Sequence, residues 1–458
     1  MFILGGLDRV LDGKFELDCP SMKWSDTGES LRGAGYIRQS VGGGFEFALF
    51  STTPGDRADW FSREFGGASV PAGTLLPRDV GGELVATDVA GQEWTAVGLR
   101  PKRTVAHHQT VKGSARELRT IEQTPAGAPC LVEVRIAGRV QFPSNVPSNT
   151  TTKLGGRVVA MSVGPAAADV QLDGANLTAR ELTGGTSLVL ASTVPLRPGA
   201  EVRVLDAVRF LENQPVPWCS LSRWERGQAS FRVRGDRYEP QPRFALPPLP
   251  EDEKASYWRL ASRLVDRPDE TDSNLRLWID VTATAAAWPL ESRGLVTAIA
   301  VDAMSDLLLP GFAPELAGYS MADEERARQA IEEAALPDRL ARRLLGLLQG
   351  RGASATDRLF ELAKLGVATR EEVEAWKGLR HPIAHGTLPA MGQELVDKVH
   401  RVRTLFSRLL FTAVGYDGPY RDYGSAGWPV RQHSCAAFRA RGLEASPARP
   451  SPAAGASE

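Results

Sequence analysis

The 458-residue chain predicts an α+β fold in two parts: a β-rich, sandwich- or barrel-like domain, then an all-α helical bundle. Three observations carry this. The first half, to about Arg243, breaks its apolar residues into short alternating runs separated by Gly, Pro, Asp and Asn, the pattern of strands and turns. The second half has longer runs with apolar residues three and four apart, the spacing of helices. Between them, residues 239–251 hold Pro240, Pro242, Pro247, Pro248 and Pro250, a density that no helix interior tolerates and that favours extended chain. The domains are therefore placed at 1–243 and 253–435, with a linker at 244–252 and a disordered tail at 436–458, rich in Ala, Ser and Pro from about Leu443. A chain this long exceeds one ordinary hydrophobic core, so two domains are the natural division.

In chain order, strands are expected at 45–50, 83–87, 131–136, 157–163, 187–191 and 202–208. Val132, Val134 and Ile136 alternate with Glu133 and Arg135, as in a strand with one wet face. Such spacing fits a sandwich or an irregular barrel. Past the proline-rich stretch, helices are expected at 254–266, 290–308, 323–335, 337–349, 356–365, 369–379 and 393–414. Pro337 suits a first turn and Gly366 a helix end. Thr369 with Glu372 makes a capping-box signature. Val399, Val402, Leu405, Phe406, Leu409 and Leu410 give the last helix one apolar face, built to pack in a bundle.

Composition excludes several classes. Hydrophobic residues make up 42% and charged residues 24%, an ordinary globular balance, and the net charge is -1, so no global positive excess announces a nucleic-acid partner, although a local patch can still bind phosphates. Arg predominates among the basic residues, which a GC-rich genome explains as well as any ligand does. Cys19, Cys130, Cys219 and Cys435 are scattered, which argues against a zinc ribbon or a disulfide framework and fits a reducing, cytoplasmic compartment. Residues 1–14 do not make a signal peptide. The most apolar stretch, 295–309, is broken by Asp302 and Asp306, so no membrane span and no membrane partner are expected. No cofactor or metal is expected. His107–His108 has no third ligand at suitable spacing, and Gly42–Gly43–Gly44 is followed by no Gly-Lys-Ser/Thr.

The informative stretch is Trp376-Lys377-Gly378-Leu379-Arg380-His381-Pro382-Ile383-Ala384-His385-Gly386. Val373, Trp376 and Arg380 share one helical stripe, so Arg380 is expected beside buried residues. Pro382 disfavours helical geometry at His381 and is expected to interrupt the ladder, with a kink that turns His385 back towards Arg380. The pair suits RNA cleavage. A neutral imidazole can take the proton of a ribose 2′-hydroxyl and later return it. A guanidinium can hold the phosphate and stabilise the charge that develops on it. His381 is a second proton carrier or a positioning donor. The plain alternative is a helix-end Arg bonding carbonyls and a capping His.

This stretch resembles the Arg-x4-His signature of the HEPN superfamily, with Arg380, His381 and His385 at the signature positions. "LRHPIAHG" and the later "GYDGPYRDY", Gly415 to Tyr423, resemble the ApeA-like HEPN group. The resemblance covers roughly the C-terminal two-fifths of the chain, and a β-rich domain ahead of it resembles the ApeA-like arrangement. It implies a helical bundle that dimerises, or forms a higher homo-oligomer, across a shared cleft. It implies metal-independent endoribonuclease activity leaving a 2′,3′-cyclic phosphate and a 5′-hydroxyl. It further implies a role in abortive-infection antiphage defence, with a phage-derived trigger. Where some HEPN toxins carry a Tyr that a partner modifies with AMP, this chain has Thr387, so that control is not expected.

Further substrate contacts are expected at Arg401 and Arg403, which with Arg408 line one helix and can follow an RNA backbone. Tyr416 and Tyr420, with Tyr423 and Trp428, can stack bases beside Arg421 and Arg431. The alternatives are a solvated helix face and aromatics packed onto the bundle. A carboxylate in the early helix, Glu291 or Asp302, can orient the histidine or lie at the surface. The rival to the nuclease is a non-catalytic dimerisation or nucleotide-binding bundle, with the β-rich domain as the recognition part.

Overall fold

The structure is a computed structural model. It describes residues 9–26, 29–52, 82–105, 109–125, 130–138, 151–154, 157–161, 167–172, 175–182, 184–235, 272–310, 321–334, 336–348, 354–384 and 392–441, with Leu7, Val140, Leu260, Arg263 and Leu264. A large antiparallel sheet occupies the N-terminal half and helices the C-terminal half, an α+β two-domain layout. The chain divides into two compact units, Met1–Val208 with Val216–Phe244, and Arg209–Pro215 with Ala245–Glu458.

In the first unit the strands are β1 (Glu16–Asp26), β2 (Glu29–Gln39), β3 (Phe45–Ser51), β4 (Glu83–Thr87), β5 (Glu93–Val97), β6 (Arg100–Val105), β7 (Gln109–Ala115), β8 (Glu117–Gln123) and β9 (Cys130–Ala137). Then come β10 (Thr151–Leu154) and β11 (Arg157–Met161), which among the described residues pair only with each other, and β12 (Ala167–Leu172), β13 (Ala175–Leu182) and β14 (Gly185–Ser192). Helix α1 (Ala200–Glu212) separates these from β15 (Trp218–Glu225) and β16 (Gln228–Arg234).

One ladder joins 14 strands in the order β12-β13-β14-β9-β15-β16-β8-β5-β4-β1-β2-β3-β7-β6. Among the described residues it has free edges at β12 and β6. A large antiparallel sheet is thus what the structure shows of the expected β-rich domain. Its core is aromatic: Phe15 meets Phe45 and Trp94 edge-on, with centroids 5.6 and 5.8 Å apart, an arrangement that suits the ring quadrupoles. Gly35 is needed where β2 meets β3, since a Cβ there would lie 1.9 Å from the Ala48 carbonyl oxygen.

Two local expectations are corrected. Residues 202–208 are not a strand but lie inside α1, where every residue from Arg203 to Val208 is buried and the apolar pattern therefore gives no clear period. Strand β9 has no wet face. Glu133 and Arg135 are both 7% exposed, and burial is tolerated because Arg135 Nε donates to Glu133 Oε1 at 2.9 Å and Ser187 Oγ to the same oxygen at 2.7 Å.

The second unit contains α2 (Asp272–Ala285), α3 (Leu290–Leu308), α4 (Met321–Glu333), α5 (Asp338–Leu348), α6 (Ala355–Lys364), α7 (Arg370–Ala384) and α8 (Gln393–Val414). The hairpin β17 (Gly418–Arg421) and β18 (Val430–His433) and the short helix α9 (Ala436–Ala440) follow. α3 and α8 carry the most closely packed pairing, with α7 laid against both. Gly366 (φ 74) and Gly415 (φ 68) end α6 and α8 in the left-handed conformation that closes a helix. Helix α2 has no counterpart among the expected helices. The expected helix at 254–266 and the linker at 244–252 lie almost wholly outside the described residues. The 436–458 segment opens with α9, which buries Phe438, so its first residues are ordered; the chain beyond Arg441 is outside the described part. Among the described residues no helix is long and apolar enough to cross a membrane.

Candidate functional site

The candidate residues sit on α7, whose start is fixed by its capping box. The Thr369 backbone N–H donates to Glu372 Oε2 at 2.7 Å, and the Glu372 N–H donates to Thr369 Oγ1 at 3.2 Å. The inner face of α7 presents Val373, Trp376 and Leu379, all buried. Trp376 donates its indole N–H to the Ala298 carbonyl of α3 at 2.9 Å, which sets both the height and the rotation of α7. One turn on, Gly294 lets the three helices close up: a Cβ there would stand 2.9 Å from Val399 Cγ2 and 3.1 Å from Leu379 Cδ2.

Arg380 lies at the margin of this face and not under it. Its side chain is 45% exposed, which corrects the expectation of a sheltered arginine. The guanidinium turns back along the helix, with Cζ 5.4 Å from the centre of the Trp376 ring, and Nη2 donates to Asp302 Oδ2 at 2.8 Å. Asp302, 27% exposed, therefore holds the arginine. Its other oxygen, Oδ1, is 3.5 Å from Arg358 Nη2, and Arg358 Nη1 is 3.4 Å from Asp306 Oδ1. Arg358 Nε also donates to Ser305 Oγ at 3.2 Å. The result is a line of alternating charges along α3, to which α6 and α7 each supply one cation. Arg358 carried no signal in the sequence, since it sits in an ordinary amphipathic helix with no motif around it.

The ladder is not interrupted at Pro382 as expected: helix α7 continues through exposed His381 and half-buried Pro382 to Ala384. Pro382 falls in the last turn, where its missing N–H removes only the bond to the Gly378 carbonyl, a smaller loss than in mid-helix. His385 and Thr387 lie outside the described residues. The structure brings Arg380 to Asp302 and places His381 on the final turn of the same helix.

The remaining candidates separate clearly. Tyr416 and Tyr420 are 3% and 5% exposed, so neither can stack a base, and the substrate-binding expectation for them is corrected. Their rings pack on Phe411 at 5.1 and 5.9 Å, and the Tyr416 hydroxyl donates to the Pro419 carbonyl at 2.9 Å. Arg408 is likewise structural: it is buried, with Nη1 2.9 Å from Glu372 Oε2 and Nη2 donating to the Gly366 carbonyl at 2.8 Å. Arg401 is exposed, with Nε donating to the Gly424 carbonyl at 3.3 Å. Arg403 lies half-buried, its Cζ 5.9 Å from the Tyr423 ring centre.

His433, which no motif marked, is a core group. Its Nε2 is 3.1 Å from Thr412 Oγ1 and 3.6 Å from Cys435 Sγ, and its ring lies against Phe411. Burial, assisted by the positive charge of Arg408, holds its pKa at about 4, so it is neutral at pH 7. Among the described residues no three His, Cys, Asp or Glu side chains gather as metal ligands would. No protein-family model matches the chain, and no curated protein or solved structure matches it either.

Proposed function

We propose that the helical unit is a HEPN-type, metal-independent endoribonuclease, acting in antiphage defence under control of the β-rich unit. Arg380 is the phosphate clamp and His385 the proton carrier. The observation that carries this reading is the setting of Arg380. A solvent-facing guanidinium stands on a helix whose rotation is fixed by a buried indole, and a carboxylate fixes its direction. A preorganised cation of that kind is what charge stabilisation on a phosphate requires.

In the reaction, His385 takes the proton of a ribose 2′-hydroxyl as O2′ bonds to the adjacent phosphorus. The bond from phosphorus to O5′ breaks, and the proton is delivered to O5′. The products are a 2′,3′-cyclic phosphate and a 5′-hydroxyl, and no water is consumed. Arg380 stabilises the extra negative charge on the phosphorane-like transition state. A homodimer that faces two such motifs across one cleft, as the HEPN resemblance implies, is the arrangement that serves both groups.

The test is cleavage of RNA by purified full-length protein in EDTA, comparing wild type with His385→Ala. Cyclic-phosphate ends made by wild type alone support the proposal. Equal product from both proteins, or none from wild type even with RNA from phage-infected cells, overturns it. One observation favours a second reading. Arg380 already has a carboxylate partner, as a purely structural arginine would, and the bundle would then be a dimerisation or nucleotide-binding module. In that case the Arg380→Ala, His385→Ala double variant and wild type are equally harmless on expression, even with a trigger present.

A further inference from the structure

A second group of cations collects where α3, α8 and the β17–β18 loop meet. Arg293, in the first turn of α3, is half-buried. Its Nε is shut off from solvent and has no hydrogen-bond partner, and among the described residues no carboxylate pairs with it. Leaving a desolvated guanidinium without an anion is costly. Facing it on α8 is His400, also half-buried, which loses affinity for its proton through burial and then through the positive charges of Arg293 and Arg403. Asp397, which opposes this shift of His400, has its Oδ1 engaged by Gln393 Nε2 at 2.8 Å. Gly294, next to Arg293, is the point where α3 touches both Leu379 and Val399, so this cluster lies beside the last turns of α7.

The loop supplies an aromatic wall. Trp428 stands edge-to-face with His400 and with Tyr423, with centroids 6.0 Å apart in each case. Its backbone is in the left-handed region at φ 49, which is strained for a side chain of this size. The rest of the loop is tied down to hold it there. Asp422 accepts from the Gly424 N–H at 2.9 Å, from Ser425 Oγ at 2.7 Å and from Arg431 Nε at 2.7 Å, and the Gly424 N–H reaches Thr404 Oγ1 of α8 at 3.1 Å. An unpaired, desolvated cation and a strained aromatic in one place are the two features that ligand sites keep at a cost to stability.

We propose that Arg293, His400 and Arg403 form a phosphate subsite, and Trp428 with Tyr423 a base-stacking wall, which together seat one nucleotide of single-stranded RNA next to α7. The cations take the phosphate that Arg293 lacks a partner for, and the rings take the base, whose flat face needs no sequence match. The choice of RNA rests on the ribonuclease reading; the subsite itself does not.

The experiment measures binding without cleavage, by fluorescence anisotropy of a labelled single-stranded RNA on full-length His385→Ala protein over a range of salt. Arg293→Gln in that background is expected to weaken binding about tenfold and to lower the salt slope by about 0.7, as for one lost phosphate contact on a single strand. Its melting temperature should be unchanged or higher, because an unpaired buried charge has gone. Trp428→Gly relieves the backbone and removes the ring, and should weaken binding on the order of tenfold with the salt slope intact. If Arg293→Gln fails to fold, Arg403→Gln and Trp428→Gly decide the matter. Variants that bind as tightly as the parent overturn the subsite, as does a parent that binds no RNA. Weakened binding alongside a wild type that never cleaves keeps the subsite and overturns the ribonuclease reading.

Discussion

Arg380 of α7 and Asp302 of α3 meet at 2.8 Å, although 78 residues separate them in the chain. Asp302 is also 3.5 Å from Arg358 of α6. One carboxylate therefore registers three helices, and it does so at the edge of the bundle, where a substrate can reach. Asp302 is a positioning residue in this scheme: it aims the guanidinium and does not touch the reacting atoms.

Replacing Asp302 by Asn should leave the fold standing and reduce activity. The pair is partly exposed, so its loss costs at most about 1 kcal/mol of stability. On RNA, Asp302→Asn should lower kcat about tenfold with little change in KM, while Arg380→Ala should lower kcat by on the order of a hundredfold or more, as for loss of a charge-stabilising donor. Single-turnover cleavage kinetics beside a urea melt would separate the two effects. Equal kcat for Asp302→Asn and wild type would remove Asp302 from the scheme.

Trp376 decides whether α7 is held at all. Its ring is buried and its N–H reaches across to α3. Trp376→Ala should destabilise the helical unit by about 3–5 kcal/mol, the range for deleting a buried large aromatic. Trp376→Phe keeps most of the ring and loses the bond to the Ala298 carbonyl, so about 1 kcal/mol is expected. Denaturant midpoints of the two variants check this. A small effect from Trp376→Ala would mean that the α3–α7 contact does not anchor the helix.

Much of the helical half was legible in the sequence, because regular burial writes a regular pattern. The ends of α3 and α8 follow directly from their apolar spacing, and the Thr369 and Glu372 box marks the start of α7. The failures have physical causes. Val202, Val204 and Val208 look like strand residues, but they are β-branched residues in a helix buried on nearly every side, where periodicity is weak. Pro382 looks like a stop, but in a last turn it breaks too little to stop the helix. Glu133 and Arg135 look like a wet face, since pairing across a covered sheet leaves no local trace. Asp302 stood out as a carboxylate in the right helix. Its choice of Arg380 is set by the crossing of α3 and α7, which no spacing along one helix encodes. The sheet's strand order is equally hidden, because β9 finds its partners β14 and β15 across long stretches of chain.

Histidine 433 should give the helical unit a weak point in mild acid. Its pKa falls from 6.5 to about 4 on folding through burial, then the charges of Arg408 and Arg439, against the opposing pull of Asp417. The unfolded chain then binds more protons between these values, so stability is fully present above pH 6.5 and declines as pH falls towards 4, with about 3 kcal/mol lost in total. His433→Gln should flatten this slope while preserving contact with Thr412. Denaturant melts of both proteins across that interval test it, and parallel slopes would show that His433 is not the group responsible.

The sheet should yield to acid later and for the opposite kind of group. Glu117, 1% exposed, is the shared partner of three arginines: Arg119 Nε and Arg232 Nε at 2.8 Å from Oε1, and Arg234 Nε at 3.2 Å from Oε2. Arg119 and Arg232 stand directly opposite in the β8–β16 register, a like-charge pairing that is unfavourable alone. Burial tends to raise the Glu117 pKa, but the bonds and charges of Arg232 and Arg119 more than offset it, and the carboxyl sits at about 2 against an ordinary 4.5. A depressed carboxyl contributes its stability above 4.5, and that contribution, about 3 kcal/mol, disappears as pH falls to 2. Glu117→Gln should cost a comparable or larger amount at pH 7, about 3–5 kcal/mol, because it strands the arginines without their counter-charge. It should also abolish the acid limb below pH 4.5, while the histidine-dependent loss at higher pH stays as in wild type. A Glu117→Gln protein that melts like wild type at pH 7 would show that the three arginines are adequately solvated without it.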